Sequence, residues 1–410
     1  MTEDEMLRQA IQMSRQLTRR RFLRNSALAA GALAAGPSVL AACGDDDGDE
    51  GGDAGGDGGG SSEDLATSKG SGTANSFDVY HANWTEYLDD ETPGRFEAAT
   101  GLKLFYSEEF NDNNEFFAKI QPDLSAGRPI KPQIITPTFW LAGRLINLGW
   151  VDALPLDLIP NAANLVEPLR NPTWDPTGEY SLPWQSGMAG LAYNRSVTGR
   201  DITSVDDLFD EEFRGKIGIN TEMRDSIGLI ALAMGIDIEQ PEFDDFAPAF
   251  DRLEEAVADG QVRRFHGNDY TDDLSTGNFA ICVGWSGDVT QLARDNPDIK
   301  FVIPESGGTL WSDTMVIPKG ARDVDKAAKW MDFVYDPVNA ALIAAYVGFI
   351  SPVEGVQDQL RKMGGDAALA ADSPLLFPDD ATNALLKSWG NLDEEQEQLF
   401  DERFAQIQGN

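Results

Sequence analysis

From about Ser76 onward, short apolar runs with strand character alternate with longer stretches in which apolar residues recur at helical spacing. The predicted strands are 77–80, 102–106, 133–135, 189–193, 217–219, 279–284, 300–303 and 314–317. The predicted helices are 91–99, 114–124, 226–234, 244–259, 288–295, 324–335, 338–347 and 394–408. Strands that alternate with helices are typical of an α/β protein, and they predict parallel sheet covered by helices on both faces.

A basic segment near the start of the chain is followed by a weakly apolar one. Thr18–Arg24 contains three consecutive arginines, and residues 26–42 are mostly small or apolar. This order is typical of a signal peptide. The twin arginines followed by Phe22-Leu23 resemble a Tat signal, which exports proteins that have already folded. An uncleaved membrane anchor is the alternative, but the run is short and Pro37 interrupts it.

The weakly apolar segment ends in Leu40-Ala41-Ala42-Cys43, which resembles a bacterial lipobox. That resemblance implies that residues 1–42 are a Tat-type lipoprotein signal peptide and that the thiol of Cys43 becomes lipidated. Residues 43–75 are mostly Gly, Asp, Ser and Glu, and they bury too little apolar surface to offset chain entropy. We therefore expect an exported protein, held by a disordered acidic tether at the periplasmic or extracellular face of the cytoplasmic membrane.

The net charge of the chain limits the classes of partner that it is expected to bind. The 410 residues carry a formal net charge of -37. Such a surface repels phosphate backbones, so nucleic acid is not an expected partner, and it concentrates small cations. Solubility or salt adaptation explains the charge equally well. The chain has 2 His, which argues against a His-rich metal site, and Cys282 lies in an apolar run as a core residue rather than a partner of Cys43.

The chain contains none of the common catalytic or nucleotide-binding motifs. A Gly-x-Gly-x-x-Gly after a strand, a Walker loop and His-Glu-x-x-His are all absent. Gly284-Trp285-Ser286-Gly287 is one residue short of a nucleophile elbow. We therefore expect neither an enzyme nor a bound cofactor or metal. A hydrolase that uses two carboxylates stays as an alternative, because such a pair leaves little local pattern.

Carboxylates occur in four loops near the ends of predicted strands, and in three of these loops they occur together with Trp or Tyr. These loops are Asn83–Tyr87, Thr221–Asp225, Trp285–Asp288 and Trp311–Asp313. Ligands of open α/β sheets bind outside the carboxyl ends of the strands, where the first three loops fall. Each residue alone has an ordinary explanation, such as core packing for a Trp or helix capping for an acid. Their repeated occurrence together favours one shared binding site.

A site of acids and aromatic rings suits a polyamine. Its ammonium groups need paired charges when they are buried, and each charge-assisted hydrogen bond contributes roughly 1.5–3 kcal/mol. Its methylene chain gains by lying against flat rings, which add a cation–π attraction of about 0.5–2 kcal/mol. The mixture therefore predicts a polyamine receptor, with a receptor for another small cation or zwitterion as the alternative.

From about Phe77 to its end, the chain resembles the spermidine/putrescine-binding proteins of ABC importers, which are bacterial extracellular solute-binding proteins. The segments that carry the resemblance are Asn83–Tyr87, Tyr180–Trp184, Phe213–Lys216, Met223–Asp225, Gly284–Asp288 and Gly307–Asp313 running into Met315–Pro318. The resemblance implies a monomeric receptor that captures a polyamine and delivers it to the permease subunits. A sensor that passes the bound state to a signalling partner is the alternative.

The resemblance also implies a type II periplasmic-binding-protein fold, with two α/β lobes, a ligand cleft between them and two hinge crossovers near 186–190 and 309–312. Residues 76–186 and 312–351 are expected in lobe 1. Residues 187–311 and 352–410 are expected in lobe 2.

The expected ligand contacts follow from the matching segments. They are Trp84, Thr85, Tyr87 and Thr138 in lobe 1, Glu222, Asp225, Trp285 and Asp288 in lobe 2, and Trp311 and Asp313 at the hinge. Asp288 resembles an acid of the putrescine-selective members, whereas Trp311 resembles the spermidine-selective ones. The chain departs from the family where Ser-Thr-Tyr-Tyr is replaced by Pro137–Trp140, and where a Gln after Trp is replaced at Gly390-Asn391.

Overall fold

The computed structural model describes residues 67–409. The expected signal peptide, the lipidation site Cys43 and most of the expected tether lie outside these residues. Among the residues described, none of the helices combines the length and the apolar character needed to cross a membrane.

The strands and helices are numbered in chain order. The strands are β1 (Ser68–Lys69), β2 (Val79–Trp84), β3 (Leu104–Phe110), β4 (Ile134–Ile135), β5 (Val151–Asp152), β6 (Ser181–Asn194), β7 (Ile217–Asn220), β8 (Val262–His266), β9 (Ile281–Trp285), β10 (Ile299–Val302), β11 (Gly308–Pro318) and β12 (Leu386–Lys387). The helices are α1 (Thr92–Thr100), α2 (Asn113–Leu124), α3 (Phe139–Asn147), α4 (Arg195–Thr198), α5 (Met223–Ala233), α6 (Ala247–Ala258), α7 (Tyr270–Thr276), α8 (Ser286–Asp295), α9 (Val324–Val334), α10 (Pro337–Val347), α11 (Val356–Met363), α12 (Gly365–Ala370), α13 (Asp380–Leu385) and α14 (Glu394–Gln408).

The described strands form one mixed sheet in the order β1-β3-β2-β4-β11-β6-β9-β7-β8, with β10 on β6 and with β5 and β12 on β11. Strand β2 runs parallel to β3 and β4, and β7 runs parallel to β8 and β9. The expectation of parallel sheet throughout is wrong, because β6 and β11 run antiparallel to each other at the centre. Each of the two strands is also longer than its predicted segment.

Strands β6 and β11 connect the two halves of the sheet, and the hinge lies on this pair of strands. Ser186 pairs with Ser312, and Ala189 pairs with Thr309. Before this point β6 lies with β4 and its neighbours in lobe 1, and after it β6 pairs with β9 and β10 in lobe 2. The two expected crossovers are therefore this one pair of adjacent strands, which passes side by side between the lobes.

The folded chain begins earlier than the sequence indicates. Ser68 and Lys69 of β1 pair with Ser107 and Tyr106 of β3, so the expected tether ends before residue 75. A polar strand can join a sheet edge in this way because backbone hydrogen bonds do not depend on side-chain hydropathy.

Residues 352–410, which were all expected in lobe 2, are shared between the two lobes. Helix α11 packs against α10, and Val353 bridges to Leu165, so residues after 352 stay with lobe 1. The chain rejoins lobe 2 only at β12, where Leu386 pairs with Gly308. Helices α11 and α12 lie in a stretch for which the sequence pattern predicted no element, so their packing partner was not foreseen.

Each lobe has its own core. The core of lobe 2 includes Tyr270, Phe279 and Cys282, all fully buried, so the prediction that Cys282 is a core residue is confirmed. In lobe 1 the central strand β2 is buried along its whole length. Helix N-termini point toward the cleft, where the side chain of Asp112 caps α2 and that of Glu222 caps α5. Since caps accept backbone N–H groups, these acids are fixed at the carboxyl-end edge of the sheet.

Candidate functional site

A cavity opens between the two lobes. All ten side chains that the sequence predicted as ligand contacts line it: Trp84, Thr85, Tyr87, Thr138, Glu222, Asp225, Trp285, Asp288, Trp311 and Asp313. The structure therefore brings together residues from loops more than 200 positions apart, such as Tyr87 and Asp313. That these residues contact a ligand stays a prediction.

Asp313 lies at the floor of the cavity, on β11 beside an irregularity in its pairing with β6. Its carboxylate accepts a hydrogen bond from the Tyr87 hydroxyl at 2.9 Å and one from the Thr138 hydroxyl at 2.7 Å. Burial raises the pKa of Asp313 to about 7, although both hydrogen bonds oppose the shift. The charges of Asp225 and Asp288 also raise this pKa, so Asp313 is electrostatically close to both.

Asp225 occupies the first turn of α5, one turn from the end of β7. It accepts hydrogen bonds from the Trp285 indole N–H at 2.8 Å and from the Thr309 hydroxyl at 2.6 Å. Burial raises its pKa to about 6, against the effect of these two donors and of the nearby Arg224 charge. The indole of Trp285 is thus held in place by the carboxylate that it helps to bury.

Asp288 lies in the first turn of α8, directly after β9. The Tyr270 hydroxyl donates to it at 3.1 Å, and burial raises its pKa to about 7. Among the ion pairs of the described residues, none joins Asp288 or Asp313 to a Lys, Arg or His. Two buried carboxylates therefore face the cavity with neutral donors only, an arrangement that favours a cation between them.

Aromatic rings form the wall between these acids. The ring centroids of Trp84 and Trp285 are 6.4 Å apart, and those of Trp285 and Trp311 are also 6.4 Å apart. Phe349 completes the series, with centroids 5.3 Å from both Trp311 and Tyr87. These rings offer edges and faces at several angles, which suits the flexible methylene chain of a cationic ligand.

Glu222 also lines the cavity, but its surroundings differ from those of the three aspartates. The Trp140 indole N–H and the Asn113 amide donate to it at 3.1 and 3.2 Å, and the Arg224 guanidinium lies 3.9 Å away. Burial raises its pKa to about 8, in opposition to the charge of Arg224. Glu222 therefore already has a cation and two donors from the chain itself.

Sequence reasoning missed several lining residues, among them Asn113, Trp140, Arg224 and Phe349. Three of them gave a signal. Trp140 lies in the segment that departs from the family pattern, and Arg224 lies between two predicted contacts. Asn113 follows Phe110 and Asp112, a further combination of ring and acid after a predicted strand, whereas Phe349 lies in a segment without acids and gave no signal. In the described part of the chain, no group of His, Cys, Asp and Glu is arranged to hold a metal ion.

Known proteins resemble this chain over most of its length. The spermidine/putrescine-binding periplasmic protein of Escherichia coli strain K12 is 22% identical over 321 residues, which are 77% of this chain and 88% of that protein. The spermidine/putrescine-binding periplasmic protein 1 of Haemophilus influenzae is 25% identical over 326 residues, covering 78% of this chain and 88% of that protein.

A solved structure agrees with the fold. The spermidine/putrescine ABC transporter substrate-binding protein of Streptococcus pneumoniae superposes with a TM-score of 0.66 at 23% identity, covering 81% of this chain and 98% of that one. This likeness supports the two-lobed, type II periplasmic-binding-protein fold.

Two family models match the chain. A short one, the ubiquitin interaction motif, covers residues 2–16, outside the described part. The other, the bacterial extracellular solute-binding protein, covers residues 94–375, well over half of the chain. The chain, with its two lobes and its cleft of acids and aromatic rings, therefore belongs to the bacterial extracellular solute-binding protein family.

Proposed function

We propose that this protein captures a polyamine outside the cytoplasm and delivers it to the permease of an ABC importer. The observation that carries the proposal is the cavity itself, where Asp288 and Asp313 are buried without a cationic partner beside a wall of indole and phenyl rings. The names of the relatives from Escherichia coli and Haemophilus influenzae, both spermidine/putrescine-binding, support the same ligand class.

Charge compensation in the cavity favours a cationic ligand. A carboxylate loses much of its hydration when it is buried, and an ammonium group held by hydrogen bonds restores a favourable environment for both charges. The rings of Trp285 and Trp311 cover the apolar part of the ligand and attract its cationic ends. A neutral sugar would use the rings but would leave the acids uncompensated.

The proposed receptor performs no chemical step. It binds the polyamine as the lobes close about β6 and β11, and the permease then opens the lobes and takes the ligand. We further propose that the lipid on Cys43 holds the receptor at the membrane. Cys43→Ser is expected to move the protein from the membrane fraction to the soluble fraction, and continued membrane association of this variant would contradict lipid anchoring.

Calorimetry and thermal shift test the ligand class directly. Putrescine, cadaverine, spermidine and spermine form the test panel, with 1,4-butanediol as the uncharged match for putrescine. At least one polyamine is expected to bind and to stabilise the protein, by about 2.7 kcal/mol at a hundredfold excess over its Kd. Butanediol is expected to do neither. The absence of any polyamine effect, or hydrolysis of a glycoside panel, would overturn the proposal.

One observation favours a zwitterion as the second candidate. Arg224 lines the cavity and would suit a ligand carboxylate. The same guanidinium already lies near Glu222 and 3.1 Å from Glu397, so most of its charge is compensated. Adding 4-aminobutyrate, an amino acid of similar length to putrescine, to the panel distinguishes the two candidates.

A further inference from the structure

The carboxylate of Glu222 differs from those of Asp225, Asp288 and Asp313 in that its donors come from both lobes. Glu222 itself caps α5 in lobe 2. Asn113 on α2 and Trp140 on α3 both donate to it from lobe 1, at 3.2 and 3.1 Å. Next to this contact, the Thr221 hydroxyl of lobe 2 donates to Asp112 of lobe 1 at 2.6 Å. These hydrogen bonds therefore join the two lobes directly.

Arg224 supplies the positive charge for this contact. It is only 5% exposed, and it is the one Lys or Arg among the cavity-lining residues of the described chain. Its guanidinium stacks on the Trp140 ring at 4.3 Å and pairs with Glu397 of α14 at 3.1 Å. A stacked, partly desolvated guanidinium of this kind adds cation–π attraction to the hydrogen bonds across the cleft.

We propose that Glu222, Arg224, Trp140 and Asn113 form an interlobe latch, in which Arg224 takes the place of a ligand ammonium group beside Glu222. The inference rests on the proposed polyamine function and deepens it. The ammonium groups of the ligand then bind at Asp225, Asp288 and Asp313. Glu222 is thereby reassigned from an expected ligand contact to a positioning residue that favours the closed cleft.

The latch predicts how its variants differ from a ligand-contact variant. Trp140→Phe keeps the ring for Arg224 but removes the indole N–H that donates to Glu222. At pH 9, where the native Glu222 carboxyl group is ionised, Glu222→Gln removes the charge but keeps an oxygen acceptor. Both are expected to weaken putrescine and spermidine binding by one common factor, because a smaller closed fraction lowers the affinity for every ligand equally. Asp313→Asn serves as the contrasting variant and is expected to weaken binding directly.

The interlobe distance separates the two roles. Spin labels at Ser125→Cys in lobe 1 and Asp237→Cys in lobe 2 report it by electron resonance, in a Cys43→Ser background where the remaining Cys282 is buried. Without ligand, Trp140→Phe and Glu222→Gln are expected to shift the distance distribution toward longer values, whereas Asp313→Asn leaves it unchanged.

Each outcome has one meaning. If Glu222→Gln lowers affinity by tenfold or more while the ligand-free distance stays that of the unaltered protein, Glu222 contacts the ligand and the latch is wrong. The same holds if neither latch variant changes the distance. If the unaltered protein binds no polyamine but the latch variants still lengthen the distance, the proposed function fails and the latch stands.

Discussion

At the scale of single residues, burial in the cavity makes the charged form of three aspartates unfavourable. Burial raises the pKa of Asp225 to about 6 and that of Asp288 and Asp313 to about 7, compared with about 3.9 for a solvated aspartate. Near neutral pH these groups are charged only at a cost in free energy. A bound cation offsets that cost, so the site is built for its ligand at the expense of the ligand-free protein.

Asp313→Asn tests the ligand side of this balance. The amide keeps an acceptor for one hydroxyl but loses the charge, so polyamine affinity is expected to fall by at least about 1–2 kcal/mol, or roughly fivefold to thirtyfold. Calorimetry measures the change. Asp366→Asn, an exposed acid of α12, is the matched control and should leave affinity as it is. Unchanged affinity for Asp313→Asn would remove this residue from the binding site.

Asp288→Asn tests how much the buried charge destabilises the ligand-free fold. A carboxyl group whose pKa is higher in the folded than in the unfolded state destabilises the fold as pH rises between those two values. Replacing it by a neutral amide that still accepts from Tyr270 is expected to raise the ligand-free melting temperature at pH 8. A gain of about 1 kcal/mol corresponds to about 2–4 °C in domains of roughly this size.

The pH dependence distinguishes this explanation from a packing effect. The gain of Asp288→Asn should shrink as the pH falls from 8 toward 5, since the native carboxyl group then becomes protonated as well. Differential scanning calorimetry at both pH values gives the comparison. A gain that is equal at the two values would show that charge is not its cause.

At the scale of elements, the hinge strands also shape the binding site. Gly187 of β6 pairs with Trp311 of β11, and the ring of Trp311 lies over it. A Cβ atom at position 187 would lie 2.4 Å from the Trp311 ring and 2.8 Å from the Phe349 ring. The absence of a side chain on one hinge strand therefore allows two rings of the cavity wall to take their positions.

Gly187→Ala is accordingly expected to displace Trp311 or Phe349, to lower the melting temperature and to weaken polyamine binding by about tenfold or more. Overpacking of this kind typically costs about 1–3 kcal/mol. The control is Gly94→Ala in α1, where a Cβ atom would meet nothing within 4 Å. That variant should be as stable as the original or slightly more so. Unchanged polyamine affinity in Gly187→Ala would show that the absence of a side chain at Gly187 is not needed for binding.

At the scale of the whole molecule, the net charge of -37 and the acid-rich cleft act in the same direction. The negative field raises the local concentration of polyamines, and salt screens it at distances beyond about 8–10 Å. The closed cleft then shields the buried acids from this screening. We therefore expect salt to slow capture more than it weakens the bound state.

Polyamine affinity is expected to rise with pH between 5 and 8. The ammonium groups stay charged over this range, whereas acids with a pKa of about 6–7 must lose a proton before they can pair with them. Each acid that must be deprotonated contributes about tenfold per pH unit below its pKa. Calorimetry in two buffers of different ionisation enthalpy should also detect protons released on binding at pH 6.

The double variant Asp288→Asn/Asp313→Asn provides the control for this prediction, since it should show a flatter profile. Circular dichroism checks that the fold persists at pH 5. Affinity that is constant over the range, in a protein that stays folded, would contradict the role of these carboxylates.

The sequence by itself determined the class of the fold and ten of the side chains that line the cavity. Alternating strands and helices indicate an α/β protein, and four loops near the ends of the predicted strands already contain many of the rings and acids that line the cavity. Local patterns carry this information because hydropathy period and turn chemistry depend on neighbouring residues.

Only the tertiary structure decided which distant segments meet. The contact between Tyr87 and Asp313 across 226 positions, the pairing of β6 with β11 and the position of Phe349 in the cavity wall depend on long-range packing, which no local pattern encodes. The same is true of Glu222. Its sequence position indicates a ligand contact, yet the lobe-1 side chains of Asn113 and Trp140 both donate to its Oε2. A carboxylate has few acceptor sites, so the packing of the two lobes determines what it can still bind.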